Sequence, residues 1–166
     1  MTFEIADYAP HQADELVRLW RESFEHGVGV TDPHPLDEQR AYFESAVLPA
    51  HRVRVALRDG RLVGFMAANE RSVGQLYVRV GETGQGIGAA LIGLAQAQSA
   101  GSLWLFTFAR NTRACRFYER HGFVAVARGF EPHWALEDIR YEWTRDASPT
   151  GRRAPSRTAS PSGSSP

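Results

Sequence analysis

The chain has a single cysteine, Cys115, among 166 residues, so no internal disulfide can form and burial and hydrogen bonding must hold the fold. It lacks any apolar run near the roughly 18 to 20 residues of a membrane span. Its opening, MTFEIADYAPHQADELV, has neither a basic segment nor an apolar core of signal-peptide length, and the expected compartment is the cytoplasm. Net charge is missing too: 19 basic residues balance 19 acidic ones. That balance removes the whole-molecule field as an argument for nucleic acid or an anionic membrane as partner. None of the six histidines shows metal-ligand spacing, so no metal site is expected. Finally, no Asp or Glu occurs from Thr83 through Tyr118.

What is present is the composition of an ordinary globular domain, 43% hydrophobic and 23% charged, with no internal repeat. Composition shifts after Trp143. The tail TRDASPTGRRAPSRTASPSGSSP has no large apolar residue and cannot bury enough surface to offset the entropy of ordering. We therefore expect one domain over residues 1–144 and a disordered Ser/Pro/Arg-rich tail over 145–166, either a solvated terminus or a docking segment using its arginines.

Periodicity gives the order β-α-α-β-β-β-α-β-α-β-β. TFEIADYA reads as a strand, and HQADELVRLWRESFEHG as a helix with Leu16, Leu19, Trp20 and Phe24 on one face. LDEQRAYFESAVL is a second helix. RVRVALRDGRLVGFMAA alternates on both sides of Asp59-Gly60, a tight hairpin. GQLYVRV is the fourth strand, SLWLFTFA the fifth, and NTRACRFYERHG a helix ended by Gly122. FVAVARGF and DIRYEWT close the chain as strands. The expected class is α/β (α+β), a single-domain, mixed sheet of about seven mostly antiparallel strands with helices on its faces.

The stretch LYVRVGETGQGIGAALI sets three glycines, Gly84, Gly86 and Gly88, between a strand and an alanine-rich helix. Such a turn leaves amide N–H groups uncovered at the positive end of a helix dipole, which suits an anion, most often phosphate. GQGIGA satisfies a dinucleotide fingerprint, but an NAD-binding oxidoreductase needs an acid about 20 positions on for the ribose, and none exists. A nucleotide-triphosphate loop needs Lys after its glycines, whereas Ile87 follows Gly86.

Twenty-three residues past Gly88 begins NTRACRFYERHGF. With LYV at Leu76–Val78, the glycine stretch, and Asn111, Ala114, Tyr118, Gly122 and Phe123 at matching spacing, the chain resembles the GNAT superfamily of N-acetyltransferases over about residues 2 to 144. Thr83 departs from that pattern, standing where Arg or Gln is usual. The resemblance implies strands four and five splayed apart, with acetyl-CoA as acyl-donor cosubstrate between them. Its pyrophosphate would lie against the segment Thr83, Gly84, Gln85, Gly86, Ile87, Gly88 and Ala89. Its pantetheine would bond like an added strand to backbone near Tyr77, Val78 and Val80, and reach Asn111, Ala114 and Tyr118.

The resemblance also implies direct transfer to a primary amine of a small molecule, amino acid or peptide. Tyr118 would assist the departing thiolate, or else serve as a core aromatic, and the Val78 N–H would stabilise the oxyanion. Cys115 shares the face of Asn111 and Tyr118, yet no histidine stands at helical spacing to activate it. For the base, residues 72–80 hold no acid, which leaves Glu70, then Glu25 or His26, or ordered water. By analogy Glu25, His26, Glu131, Trp134 and Asp138 would line the acceptor pocket. Related proteins often dimerise, so a homodimer is an open expectation. A non-catalytic acyl-CoA-binding or sensing domain is the alternative, motivated by Thr83 and the missing strand-four acid.

Overall fold

The computed structural model describes residues 2–146, and the rest of the proposed tail lies outside the described residues. Strand β1 (Glu4–Asp7) leads through a short turn into helix α1 (Ala13–Val28). The apolar stripe read from the sequence is the buried one: Leu16, Val17, Leu19, Trp20, Phe24 and Val28 all face inward. Gly29, at φ 75°, ends the helix and donates its amide to Glu25 O. The second helical stretch is continuous but irregular. Helix α2 (Leu36–Tyr42) passes through a π turn (Phe43–Val47) into helix α3 (Leu48–Ala50), and the π turn swings both Phe43 and Val47 into the core.

Strands β2 (Arg52–Arg58), β3 (Arg61–Ala68) and β4 (Val73–Val78) follow. Asp59 and Gly60 have φ of 52° and 76°, the pair of left-handed residues that a two-residue hairpin turn requires. Together with β1 they make an antiparallel sheet ordered β1-β2-β3-β4. Helix α4 (Ile87–Gln98), strand β5 (Ser102–Phe108), helix α5 (Thr112–Arg120), strand β6 (Val124–Glu131) and strand β7 (Leu136–Thr144) complete the chain. The last three strands form a second antiparallel sheet ordered β5-β7-β6.

Two cores sandwich the first sheet. Leu62, Phe65 and Ala67 of β3 pack with α1 and the π turn, while Val63, Met66 and Ala68 pack with α4, α5 and the second sheet. Strand β3 is thus buried on both faces from Leu62 onward, which explains its nearly unbroken apolar sequence. Among the described residues the sheets touch in β-pairing only at the isolated parallel bridge Ser72–Trp104, beside the bond from the Trp104 amide to Arg71 O at 3.0 Å. Beyond that bridge β4 and β5 part, as expected.

Gly64 of β3 lets α4 come close. A Cβ there would meet Ile87 Cγ2 at 2.9 Å and Tyr77 O at 3.1 Å. Gly64→Ala therefore has to push the first turn of α4 off the sheet, and we expect a stability loss of about 1–3 kcal/mol in urea unfolding. Unchanged stability would show that this helix end is not pinned by β3.

Candidate active site

The parted strands enclose a cleft. From β4 it is lined by Gly74, Gln75, Leu76 and Tyr77, from β5 by Phe106, Thr107 and Phe108, and from α5 by Asn111, Ala114 and Tyr118. Helix α1 contributes Phe24 and Val28, and the second sheet contributes Glu131 and Asp138.

At one mouth stands the glycine turn. Gly84 and Gly86 have φ of 78° and 86°, and an added Cβ at either would meet nothing within 4 Å. Packing does not require glycine here; the backbone conformation and the openness do. Gly86 is the N-cap of α4 and offers no side chain to its amides. The first amide satisfied in that turn is Ala90's, to Gly86 O at 3.0 Å; those from Thr83 to Ala89 have no acceptor among the described residues. Residues 83–86 are exposed, so the donors are open to an anion at the positive end of a 12-residue helix. Gly88 has a different reason: its Cβ would meet Phe117 at 3.1 Å, so it sets how near α4 lies to α5. The approach to the turn is held by the Arg58–Glu82 ion pair and by the Glu82 amide on Arg79 O at 2.9 Å.

Register decides which β4 amides face the gap. The Arg79 amide bonds Val63 O at 2.8 Å, and the next opposed pair is Gly64–Val78. Antiparallel pairs alternate between hydrogen-bonded and not. The Val78 and Leu76 groups therefore point into the gap, while the backbone of Tyr77 turns to β3. Ser23 Oγ donates to Val78 O at 2.8 Å, which leaves the Val78 N–H as the open donor. Of the strand-four residues expected there, Val78 turns its backbone to the gap. Tyr77 brings its ring instead, set beside Trp20 and Phe65 with ring centroids 6.2 and 5.9 Å away; burial pushes its hydroxyl up to about 12. Val80 is exposed beyond the strand end.

Helix α5 delivers Tyr118. Asn111 caps it, its Oδ1 accepting the Ala114 amide at 3.2 Å, and Gly122, at φ 87°, ends it. Tyr118 is buried against Phe123 and Tyr141, and burial first, then Tyr77 and Cys115, raises its pKa well above the ordinary phenol value. The Tyr141 hydroxyl donates to Glu119 at 3.1 Å, whereas that of Tyr118 has no partner among the described residues. Asn111 and Tyr118 meet at the cleft as their shared face implied. Cys115 does not line it; its thiol lies 3.8 Å from Phe108 O. Arg113, Arg116 and Arg120 are exposed.

The acidic candidates separate. Glu70 is exposed in the turn between β3 and β4, at the closed end of the splay, and does not line the cleft; proximity to strand four in sequence put it at the wrong end of that strand. Glu25 spends its carboxylate on the Asp32 amide at 2.9 Å, and His26 is exposed on α1. Trp134 packs on Phe24 with ring centroids 5.0 Å apart, behind the lining. Its amide donates to Glu131 Oε2 at 2.6 Å, which fixes that buried carboxylate in the cleft. Asp138, half-buried on β7, has its pKa raised by burial first and by Glu131 second. Above them the α1–α2 loop is tied down. Arg21 and His34 hold Asp32, and the His34 ring stacks on His133 at 5.1 Å. Gln75 and Thr107 carried no sequence signal, Phe24 was read only as part of the apolar face of α1, and each lines the cleft through tertiary packing.

Two antiparallel sheets that diverge beside an open glycine turn, with a tyrosine in the wedge, make a mixed α/β architecture built around one cleft. The chain belongs to the acetyltransferase (GNAT) family, whose model matches residues 13–123. Among solved structures it is similar to apo YjaB from Escherichia coli, with a TM-score of 0.71 and 21% identity over 86% of this chain and 98% of that one. It is also similar to the PaiA N-acetyltransferase from Thermoplasma acidophilum in complex with coenzyme A, with a TM-score of 0.67 and 18% identity over 87% and 99%. PH1933 from Pyrococcus horikoshii OT3 gives a TM-score of 0.70 and 17% identity over 88% and 100%. These likenesses establish the fold. No curated protein sequence matches the chain. Among the described residues no helix is long and apolar enough to cross a membrane.

The open turn makes a specific demand on Gly86. The Cβ of a valine there meets nothing within 4 Å, but the residue must adopt φ near 86°, at a cost of about 1–2 kcal/mol, and its branched side chain would stand over the amides. Gly86→Val is expected to weaken acetyl-CoA at least tenfold in calorimetry while the protein stays folded. Equal affinity would mean that the turn is not the anion cradle.

Proposed function

We propose that the protein is an acetyl-CoA-dependent N-acetyltransferase acting on a primary amine. The observation that carries this reading is Tyr118, whose ring is buried and whose hydroxyl, without a partner among the described residues, opens on the same cleft between β4 and β5 as the Val78 N–H. A hydroxyl left without a protein partner and open to a cleft is free to bond a ligand there.

The residues present fit the donor. The free amides of 83–89 suit a pyrophosphate, and Leu76 and Val78 offer edge-strand groups to an extended amide-bearing arm. The relative crystallised with coenzyme A shares this fold. When bound, acetyl-CoA supplies an acetyl group activated as a thioester. The chain does the rest. The Val78 N–H is aimed where negative charge would grow on the carbonyl oxygen. Asp138 takes the proton that an ammonium must lose before its nitrogen can attack, since an amine of ordinary pKa near 10.4 is only about one part in a thousand neutral at pH 7.4. Its raised pKa makes it a better base than an ordinary carboxylate, and it replaces Glu70 in our reading. Tyr118 would face the sulfur of a bound donor, which leaves as a thiolate and takes up the second proton shed by the acylated nitrogen. A phenol held so far above its normal pKa keeps its proton throughout the physiological range, and it stabilises the thiolate by donating a hydrogen bond rather than by supplying the proton outright.

If the hydroxyl acts only on the departing sulfur, Tyr118→Phe lowers kcat on the order of 10²-fold with the Kd of acetyl-CoA nearly unchanged. Thiol release measured beside calorimetric affinity for both proteins checks it. A kcat within twofold of the unmodified chain would sink the role. Binding of acetyl-CoA without turnover in either protein would favour a sensing domain.

A further inference from the structure

The acceptor half of the cleft has a one-sided charge. Glu131, 8% exposed, and half-buried Asp138 both line it. Neither carboxylate meets a cationic side chain within ion-pair distance among the described residues. No arginine lines the cleft, and the chain contains no lysine at all; Arg110 comes near Gly29, at the rim, without lining it. The last turn of α1 borders the same space through Phe24 and Val28, so the negative end of that helix dipole adds to the two carboxylates. The opposing positive end, that of α5, is partly spent, because Asn111 Oδ1 already holds the Ala114 amide.

A second observation points independently to a ligand. Gln75 of β4 is only 7% exposed and lines the cleft, yet its side-chain amide has no hydrogen-bond partner among the described residues. An unpaired amide held on an otherwise buried side chain and open to a cleft suits a neutral polar group, since it offers one acceptor and two donors and no charge. The remaining wall on this side is apolar or weakly polar: Phe24, Val28, Phe106 and Thr107.

We infer that the site selects amines whose neighbouring group is neutral or cationic, and rejects acceptors that carry a carboxylate beside the amine, free amino acids among them. This rests on the acetyltransferase reading and narrows its substrate class. An ammonium is drawn to Glu131 and Asp138. A carboxylate entering with it is repelled by the same pair and finds no cation to replace its lost hydration. Gln75 acts as a positioning residue, satisfied by a carbonyl or amide of the acceptor. Selectivity of this kind comes from an unfavourable pairing built into the pocket as much as from attraction.

The test uses the full chain, acetyl-CoA and acceptor pairs matched in amine basicity: propylamine against β-alanine, and alanyl-alaninamide against aspartyl-alaninamide. We expect kcat/KM for the neutral member of each accepted pair to exceed that of the carboxylate member at least tenfold. Glu131→Gln should shrink that ratio several-fold at unchanged acetyl-CoA affinity, because it removes one repelling charge and keeps the shape. Gln75→Leu should raise KM for the dipeptide amide more than it lowers kcat. Equal or better turnover of the carboxylate members, or a ratio that Glu131→Gln leaves untouched, overturns the inference and leaves the acetyltransferase reading standing. Acetyl-CoA binding with no turnover of any acceptor overturns both.

Discussion

The parting of β4 from β5 is the constraint on which the site depends. Neighbouring parallel strands ordinarily satisfy each other's backbone, and these do so only at Ser72–Trp104. Beyond that bridge Val78 has an N–H with nowhere to go, and a wedge opens into which α5 can push Tyr118. A closed sheet would bury the same sequence without leaving room for a ligand. What keeps the wedge open is mass on both sides: α1 and the π turn press on one face of the first sheet, while α4 and α5 fill the other. The backbone groups left open there are ones that an extended, amide-bearing ligand could pair.

The two ends of the cleft are built by opposite electrostatic means. At the donor end the chain uses backbone, with glycines at φ near 80° and a helix N-terminus, so the missing long side chain at Thr83 leaves the amide donors in place. At the acceptor end it uses side chains, two carboxylates from β6 and β7 and the carbonyl end of α1. On the proposed reading an anion would be held at one mouth and a cation drawn to the other, with Tyr118 and the Val78 amide between them.

Most of the fold was legible because it rests on local chemistry. The Asp59-Gly60 turn, the glycine stop after α5 and the amphipathic stripe of α1 are each decided within a few residues. The open glycine turn was legible for the same reason, since its amides come from one contiguous segment. The acceptor side was legible only in part. Glu131 and Asp138, expected there, do line the cleft, whereas Glu25, His26 and Trp134 do not, and Glu70 was favoured because nearness along strand three concealed which end of the splay it occupies. Tyr77 shows how parity matters: a one-residue offset sends its backbone to β3 and its neighbour's into the gap. The π turn between α2 and α3 had no signal either, because only the core it fills requires Phe43 and Val47 to point the same way.

Amide hydrogen exchange with and without saturating acetyl-CoA tests the central claim most directly, since the account names the donors that the ligand occupies. It predicts slowed exchange concentrated at residues 84–89 and at Val78, with the Tyr77 amide, already bonded to β3, little changed. Saturable binding that leaves 84–89 and Val78 exchanging as in the free protein would contradict it.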